Sequence, residues 1–137
     1  MPKATVDIEA TERYDLKTCP GGFVVLRKLS YGEVLKRRQM ATEISVEGRS
    51  RKDTKTTVDM MAEAVANFDF RSCVVDHNLT DDQDNPLDFR SSVCVAKLDP
   101  RIGEEINTYI DKMNNFNPDE GDDVMGNSPS ASNPTLS

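Results

Sequence analysis

The chain holds one histidine, His77, with a cysteine, Cys73, four positions before it. On a helix that spacing puts both side chains on one face. With Cys19 and Cys94 they would form a Cys3His set, a known tetrahedral shell for zinc. No CxxC knuckle is present, and Cys19 and Cys94 lie in unrelated segments. Thiols buried for packing and a histidine near a helix end are the simpler expectation, so no metal or other cofactor is expected. Cys73 and His77 could also be read as a nucleophile and its base. That chemistry needs a third group to orient the base, and Asp76, the neighbour of His77, would point about 100° away from it on a helix. No second histidine can take the role, so an enzyme is not expected. Asp81-Asp-Gln-Asp-Asn-Pro86 looks like the start of a calcium loop. It lacks the turn glycine, and Ser92 and Val93 stand where the twelfth-position Glu would be. A solvated acidic turn is expected instead. Glycine patterns for phosphate or dinucleotide binding are absent.

Charge is the next candidate. Between Arg27 and Lys55 stand nine bases and four acids. Lys36-Arg37-Arg38 and Arg49-Ser-Arg51-Lys52 are its densest parts. They would suit nucleic acid phosphates, but few aromatics are interleaved for base stacking, and the net charge of -7 opposes binding. A solvated helix face is the commoner explanation. The basic face would also suit an acidic surface of another copy, such as Glu104-Glu105, giving head-to-tail self-association.

The elements that must position these residues fit one domain, since 137 residues bury roughly two-thirds of their unfolded surface. No run approaches the roughly 20 apolar residues of a membrane span; none exceeds the four of Phe23-Val-Val-Leu26. The start has no apolar signal segment, and the odd cysteine count fits a reduced, cytosolic setting. The expected class is mainly α: a small helical domain with a short N-terminal β-hairpin and a disordered C-terminal tail. Residues 1–28 form the hairpin region, turning at Pro20-Gly21-Gly22 into the β-prone Phe23–Leu26. Residues 29–116 form the helical domain. Ser30 and Glu33 make a capping box that opens a helix carrying Val34, Leu35, Ala41 and Ile44. Glu47 to Lys55 is polar, contains Gly48, and reads as a loop. The longest helix is expected from about Thr56 to His77, with Val58, Met61, Val65 and Phe68 on one face, broadened by Met60, Ala64 and Val74; Asn78 would be its C′ residue. Ser91 or Ser92 would cap a short helix through Val95. Asp99-Pro100 opens the last helix, with Ile102, Ile106, Tyr109, Ile110 and Met113 on one face. Residues 117–137 carry Asp119, Glu120, Asp122 and Asp123, no base, and a Ser/Asn/Pro-rich end, so they are expected to be disordered.

Phe68-Asp-Phe-Arg-Ser-Cys-Val-Val-Asp-His-Asn-Leu79, the acidic turn, and Ala96-Lys-Leu-Asp-Pro-Arg-Ile-Gly-Glu-Glu-Ile106 together resemble the tail assembly chaperones of long-tailed, siphovirus-type bacteriophages. Leu29-Ser-Tyr-Gly-Glu33 and Arg37-Arg38-Gln-Met-Ala41 look like the first-helix region of that family. The resemblance spans Leu29 to Phe116. It implies a small, non-enzymatic, helical protein of the host cell cytoplasm, absent from the mature virion. Such a protein binds the tape measure protein and keeps it soluble while the tail tube polymerises, with the tail tube protein as a possible second partner. Many members have a longer frameshifted form. A client helix would dock in a groove, with adaptable Met40 and Met60 as contacts. Lys36, Arg37, Arg38, Phe68, Phe70, Leu79, Glu104 and Glu105 complete the candidate partner-binding set, although Phe68, Phe70 and Leu79 read better as core. The alternatives are a nucleic-acid-associated phage regulator using the Lys36–Lys55 region, or a structural tail component.

Overall fold

The computed structural model describes residues 1–51 and 54–116, and the side chains within them except 48–51 and 54. Two strands open the fold, β1 (Thr11–Asp15) and β2 (Phe23–Arg27), paired antiparallel from Thr11↔Arg27 to Asp15↔Phe23. Their turn uses Gly21 at φ +85°, a left-handed conformation that glycine adopts without a steric cost. Helices α1 (Tyr31–Arg51) and α2 (Thr54–Cys73) form a long hairpin. Strand β3 (Val74–His77) follows directly and adds antiparallel to the other edge of β2, giving the sheet order β1-β2-β3. A short helix α3 (Ser92–Ala96) and the closing helix α4 (Pro100–Asn114) complete the chain.

The local signals that open α1, α3 and α4 act as expected. The Ser30 backbone N–H donates to Glu33 Oε1 (2.9 Å), and the Glu33 N–H donates to Ser30 Oγ (3.3 Å). Arg27 grips the same Glu33 carboxylate with two guanidinium bonds, 3.0 and 2.7 Å long. This pairing is the main force that holds the Glu33 carboxyl down to about 2, outweighing the upward push of desolvation. Ser91 caps α3 and Asp99 caps α4, with Pro100 in the first turn. At the far end of α4, Asn115 takes φ +55° and closes the helix in the left-handed conformation.

The fold class is mixed α and β rather than mainly α, because a three-stranded sheet lies at its centre. Val24 and Leu26 of β2 are fully buried against Ile106 and Ile110 of α4 and Cys73 at the end of α2. The hairpin of residues 1–28 therefore shares one core with residues 29–116. The helix expected to run to His77 stops at Cys73; Val74-Val75 is β-branched and finds hydrogen-bond partners on β2. Asn78 is not a helix C′ residue. Its side chain accepts from the Phe23 N–H (2.8 Å) and donates to the Gly21 carbonyl (2.9 Å), tying the end of β3 to the first turn. The loop expected over Glu47 to Lys55 is largely helical, since α1 continues to Arg51 and α2 starts at Thr54. Val58, expected on the inner face of α2, is 56% exposed, because this end of the helical hairpin extends past the sheet. The tail, 117–137, lies outside the described residues.

Candidate functional site: a groove between α2 and α4

The groove is built from small side chains. Ala62, Val65 and Ala66 of α2 form one wall, Gly103 of α4 leaves the other open, and Val95, Leu98 and Phe70 close the base. About 450 Å3 of space lies between them. The rim is acidic: Asp99, Glu104 and Asp111 lie along α4, with Asn107 between them. Arg37 and Phe116 close one end.

That end is fixed by a buried ion pair. Arg37 on α1 donates from Nε to Asp69 Oδ1 (2.8 Å) and from a terminal nitrogen to Oδ2 (3.0 Å). Asp69, on α2, has no exposed surface. Burial pushes its carboxyl up, and the Arg37 hydrogen bonds and charge work against that push. The guanidinium carbon lies over the Phe116 ring, 3.8 Å from its centroid. One side chain thereby joins α1, α2 and the residues just after α4.

The other partner-binding candidates separate into surface and core. Lys36, Arg38 and Glu104 are exposed and Met40 is half-buried; Met60 lies on the outward-facing part of α2. Phe68, Phe70 and Leu79 are core residues, and only Phe70 also borders the groove. Glu105 is half-buried and its oxygens are used internally. It accepts from the N–H groups of Lys17 (2.8 Å) and Thr18 (2.9 Å), from the Thr18 hydroxyl (2.6 Å) and from Tyr109 Oη. Desolvation raises its carboxyl, but these donors prevail and hold it at about 2. The bond to Glu105 pushes the Tyr109 phenol up to about 12, and the Tyr109 ring stacks on Tyr14 at 4.7 Å. The Glu105 contact pins the β1–β2 turn to α4.

Cys19, Cys73, Cys94 and His77 do not come together as a Cys3His set. Cys73 is fully buried, and burial pushes its thiol up to about 12, aided by the Asp69 charge. A thiol in that state is a poor nucleophile and ligand. His77 lies on β3 rather than on a helix with Cys73. Its Nδ1 accepts from the Leu79 N–H (3.0 Å), so Nε2 carries the proton and donates to the Leu87 carbonyl (2.9 Å). Both ring nitrogens are thus used in shaping the turn that follows β3. Cys19 and Cys94 line a separate cavity. Among the described residues no group of three His, Cys, Asp or Glu side chains is placed to hold a metal.

Two positioning residues escaped the sequence reading. Asn114 accepts from the Leu29 N–H (2.8 Å) and donates to the Ile110 carbonyl (3.0 Å), fixing the entry to α1 against the end of α4. Thr18 is the second. An Asn four residues after Ile110 has no separate sequence signature, because its partner Leu29 is 85 positions away. The groove is equally silent in sequence, since Ala, Val and Gly carry no chemical label. Compared with known proteins, the chain matches no family model, no curated protein and no solved structure.

Proposed function

We propose that this protein is a tail assembly chaperone of a long-tailed bacteriophage. It binds helical segments of the tape measure protein in the host cytoplasm, keeps that client soluble while the tail tube polymerises, and leaves before the virion is complete. The observation that carries this reading is the α2–α4 groove. The two stretches bearing the family resemblance, Phe68–Leu79 and Ala96–Ile106, meet at it through Phe70, Leu98, Asp99, Gly103 and Glu104. Small side chains on both helices let a third helix approach closely, and an acidic rim suits an amphipathic helix with basic flanks. No chemical step is needed for such a role, and none is assigned to any residue.

The test is co-expression of the full chain with the tape measure protein encoded beside it. A soluble complex that co-elutes on size exclusion is expected. Gly103→Trp, which fills the groove from a position where a Cβ meets only Leu98 at 3.8 Å, should abolish the complex while the variant stays folded. A client that remains insoluble, with no complex, overturns the proposal. So would finding the protein in purified virions by mass spectrometry, which points to a structural tail component, or retention on nucleic acid that falls steeply with salt, which points to the basic region as a regulator's contact.

A further inference from the structure

The α2–α4 groove ends on the residue from which the chain goes on. Phe116 is the last described residue and lines the groove, its ring lying over the guanidinium of Arg37. Whatever follows Phe116 in sequence therefore starts at the groove's own edge. The sequence puts Asp119, Glu120, Asp122 and Asp123 there, with no Lys or Arg from Asn117 to Ser137.

These charges have the same sign as the groove. Asp99, Glu104 and Asp111 line it, together with Arg37, whose guanidinium holds both oxygens of Asp69. Asp99 is paired with Arg101 (3.2 Å), whereas Glu104 is exposed and has no ion-pair partner among the described residues. An extended chain covers about 3.3 Å per residue, so the four carboxylates have a reach of roughly 10 to 23 Å from Phe116. A helix that continues past the groove fits about 7 to 15 residues into that distance.

We infer that residues 119–123 are an acidic arm of the groove, and that the bound segment carries Lys or Arg within about four turns of its groove-seated part. The inference rests on the groove reading given above, and adds to it the chemistry of the partner's flank and a separation of roles. The groove, walled by Ala62, Val65 and Ala66, takes the apolar face and governs how long the segment stays. The arm meets the basic flank before the apolar face is seated and governs how fast the segment arrives. Opposite charge acts in this way, raising encounter rates more than it slows departure.

Stopped-flow kinetics on the full chain test this, with peptides of about 30 residues tiling the client as probes, long enough to span groove and flank. A segment that wild type binds should hold Lys or Arg to one end of an apolar stretch. Asp119→Asn/Glu120→Gln/Asp122→Asn/Asp123→Asn should lower the on-rate about tenfold at roughly 0.1 M salt and leave the off-rate within about twofold. The difference should close at roughly 0.5 M salt, where charges are screened over a few ångström. Glu9→Gln/Asp76→Asn/Asp82→Asn/Asp84→Asn removes the same charge from exposed sites that do not line the groove, and should bind like wild type. An equal loss in both variants means that net charge sets the rate, and overturns the inference. So does a bound segment with no base beside its apolar stretch, or an on-rate that the tail variant leaves unchanged. A faster on-rate in the tail variant also overturns it, because the acids then cover Lys36, Arg38 or Lys112. Each of these results leaves the groove reading standing. If wild type binds no segment at all, the groove reading itself fails, as co-expression would show separately, and the arm falls with it.

Discussion

A single buried carboxylate decides how much of the helical packing is at risk from one substitution. Asp69 has no exposed surface and both of its oxygens are taken by Arg37. Arg37→Ala leaves that charge buried without its cation and should destabilise the fold by about 3 kcal/mol, measured by urea denaturation. Arg37→Met/Asp69→Leu removes both charges together and should recover most of the loss, because a buried pair adds little over an apolar pair of similar volume. If the double variant is as unstable as the single one, the clasp acts through the Phe116 stack instead. Glu33 and Glu105 set the acid limit. Both carboxyls are held at about 2 in the folded protein, below the ordinary value of 4.5. The folded state therefore binds fewer protons than the unfolded chain between these values. Their contribution to stability is complete above about pH 5 and is lost as pH falls toward 2. Glu33→Gln and Glu105→Gln should each melt lower than wild type at pH 7, with the difference vanishing near pH 2. A gap in melting temperature that persists at pH 2 would mean that packing, not charge, is what the glutamates supply.

At the scale of elements, the turn that presents the sheet separates two kinds of glycine. Gly21 needs φ +85° but has open space around it, so Gly21→Ala costs only backbone strain, about 1 kcal/mol. At Gly22 an added Cβ would lie 2.9 Å from Leu79 Cδ2 and 3.0 Å from the Cys19 carbonyl oxygen. Leu79 is a core residue, so Gly22→Ala should cost more, about 2 kcal/mol, through overpacking. Equal melting temperatures for the two variants would refute this ordering. The same contrast explains what was legible in the sequence. Ser30 with Glu33, Ser91, Asp99-Pro100 and Pro20-Gly-Gly carry their structural instruction within four residues, and each boundary falls where they place it. Strand β3 was hidden because the helical spacing of Val58, Met61, Val65 and Phe68 runs up to it with no Gly or Pro to mark an end, whereas the edge of β2 that captures Val74–His77 lies some 50 residues earlier. The polar Glu47 to Lys55 stretch gave no apolar period, yet it is helical where described, because a polar run without Pro leaves the helical backbone open to it. For the candidate site, Arg37, Phe70 and Glu104 were singled out by type. The groove that joins them was invisible, being made by the approach of α2 to α4.

Across the whole molecule, burial is unevenly distributed, and this predicts how the protein opens. The sheet end concentrates Val24, Leu26, Cys73, Ile106 and Ile110, all fully buried, and is bound further by Glu105, Asn78 and Asn114. The far part of the α1–α2 hairpin holds Val46 and Val58, each more than half exposed, with Thr57 its one buried side chain among the described residues there. Local stability follows the density of buried apolar contact, so the two ends should not unfold as one. In native-state hydrogen exchange, the amides of Val24, Leu26, Ile106 and Ile110 should open only with global unfolding. Those of residues 43–47 and 55–60 should exchange at least about tenfold faster and respond weakly to denaturant, the signature of local opening. This division matters for the proposed role. A client helix seated between α2 and α4 contacts Ala62 and Ala66, just inside the less stable part, so its binding should slow exchange at residues 55–66 and leave β2 unchanged. If residues 43–47 instead exchange at the rate of β2, the protein is a single cooperative unit and the groove is rigid before any client arrives.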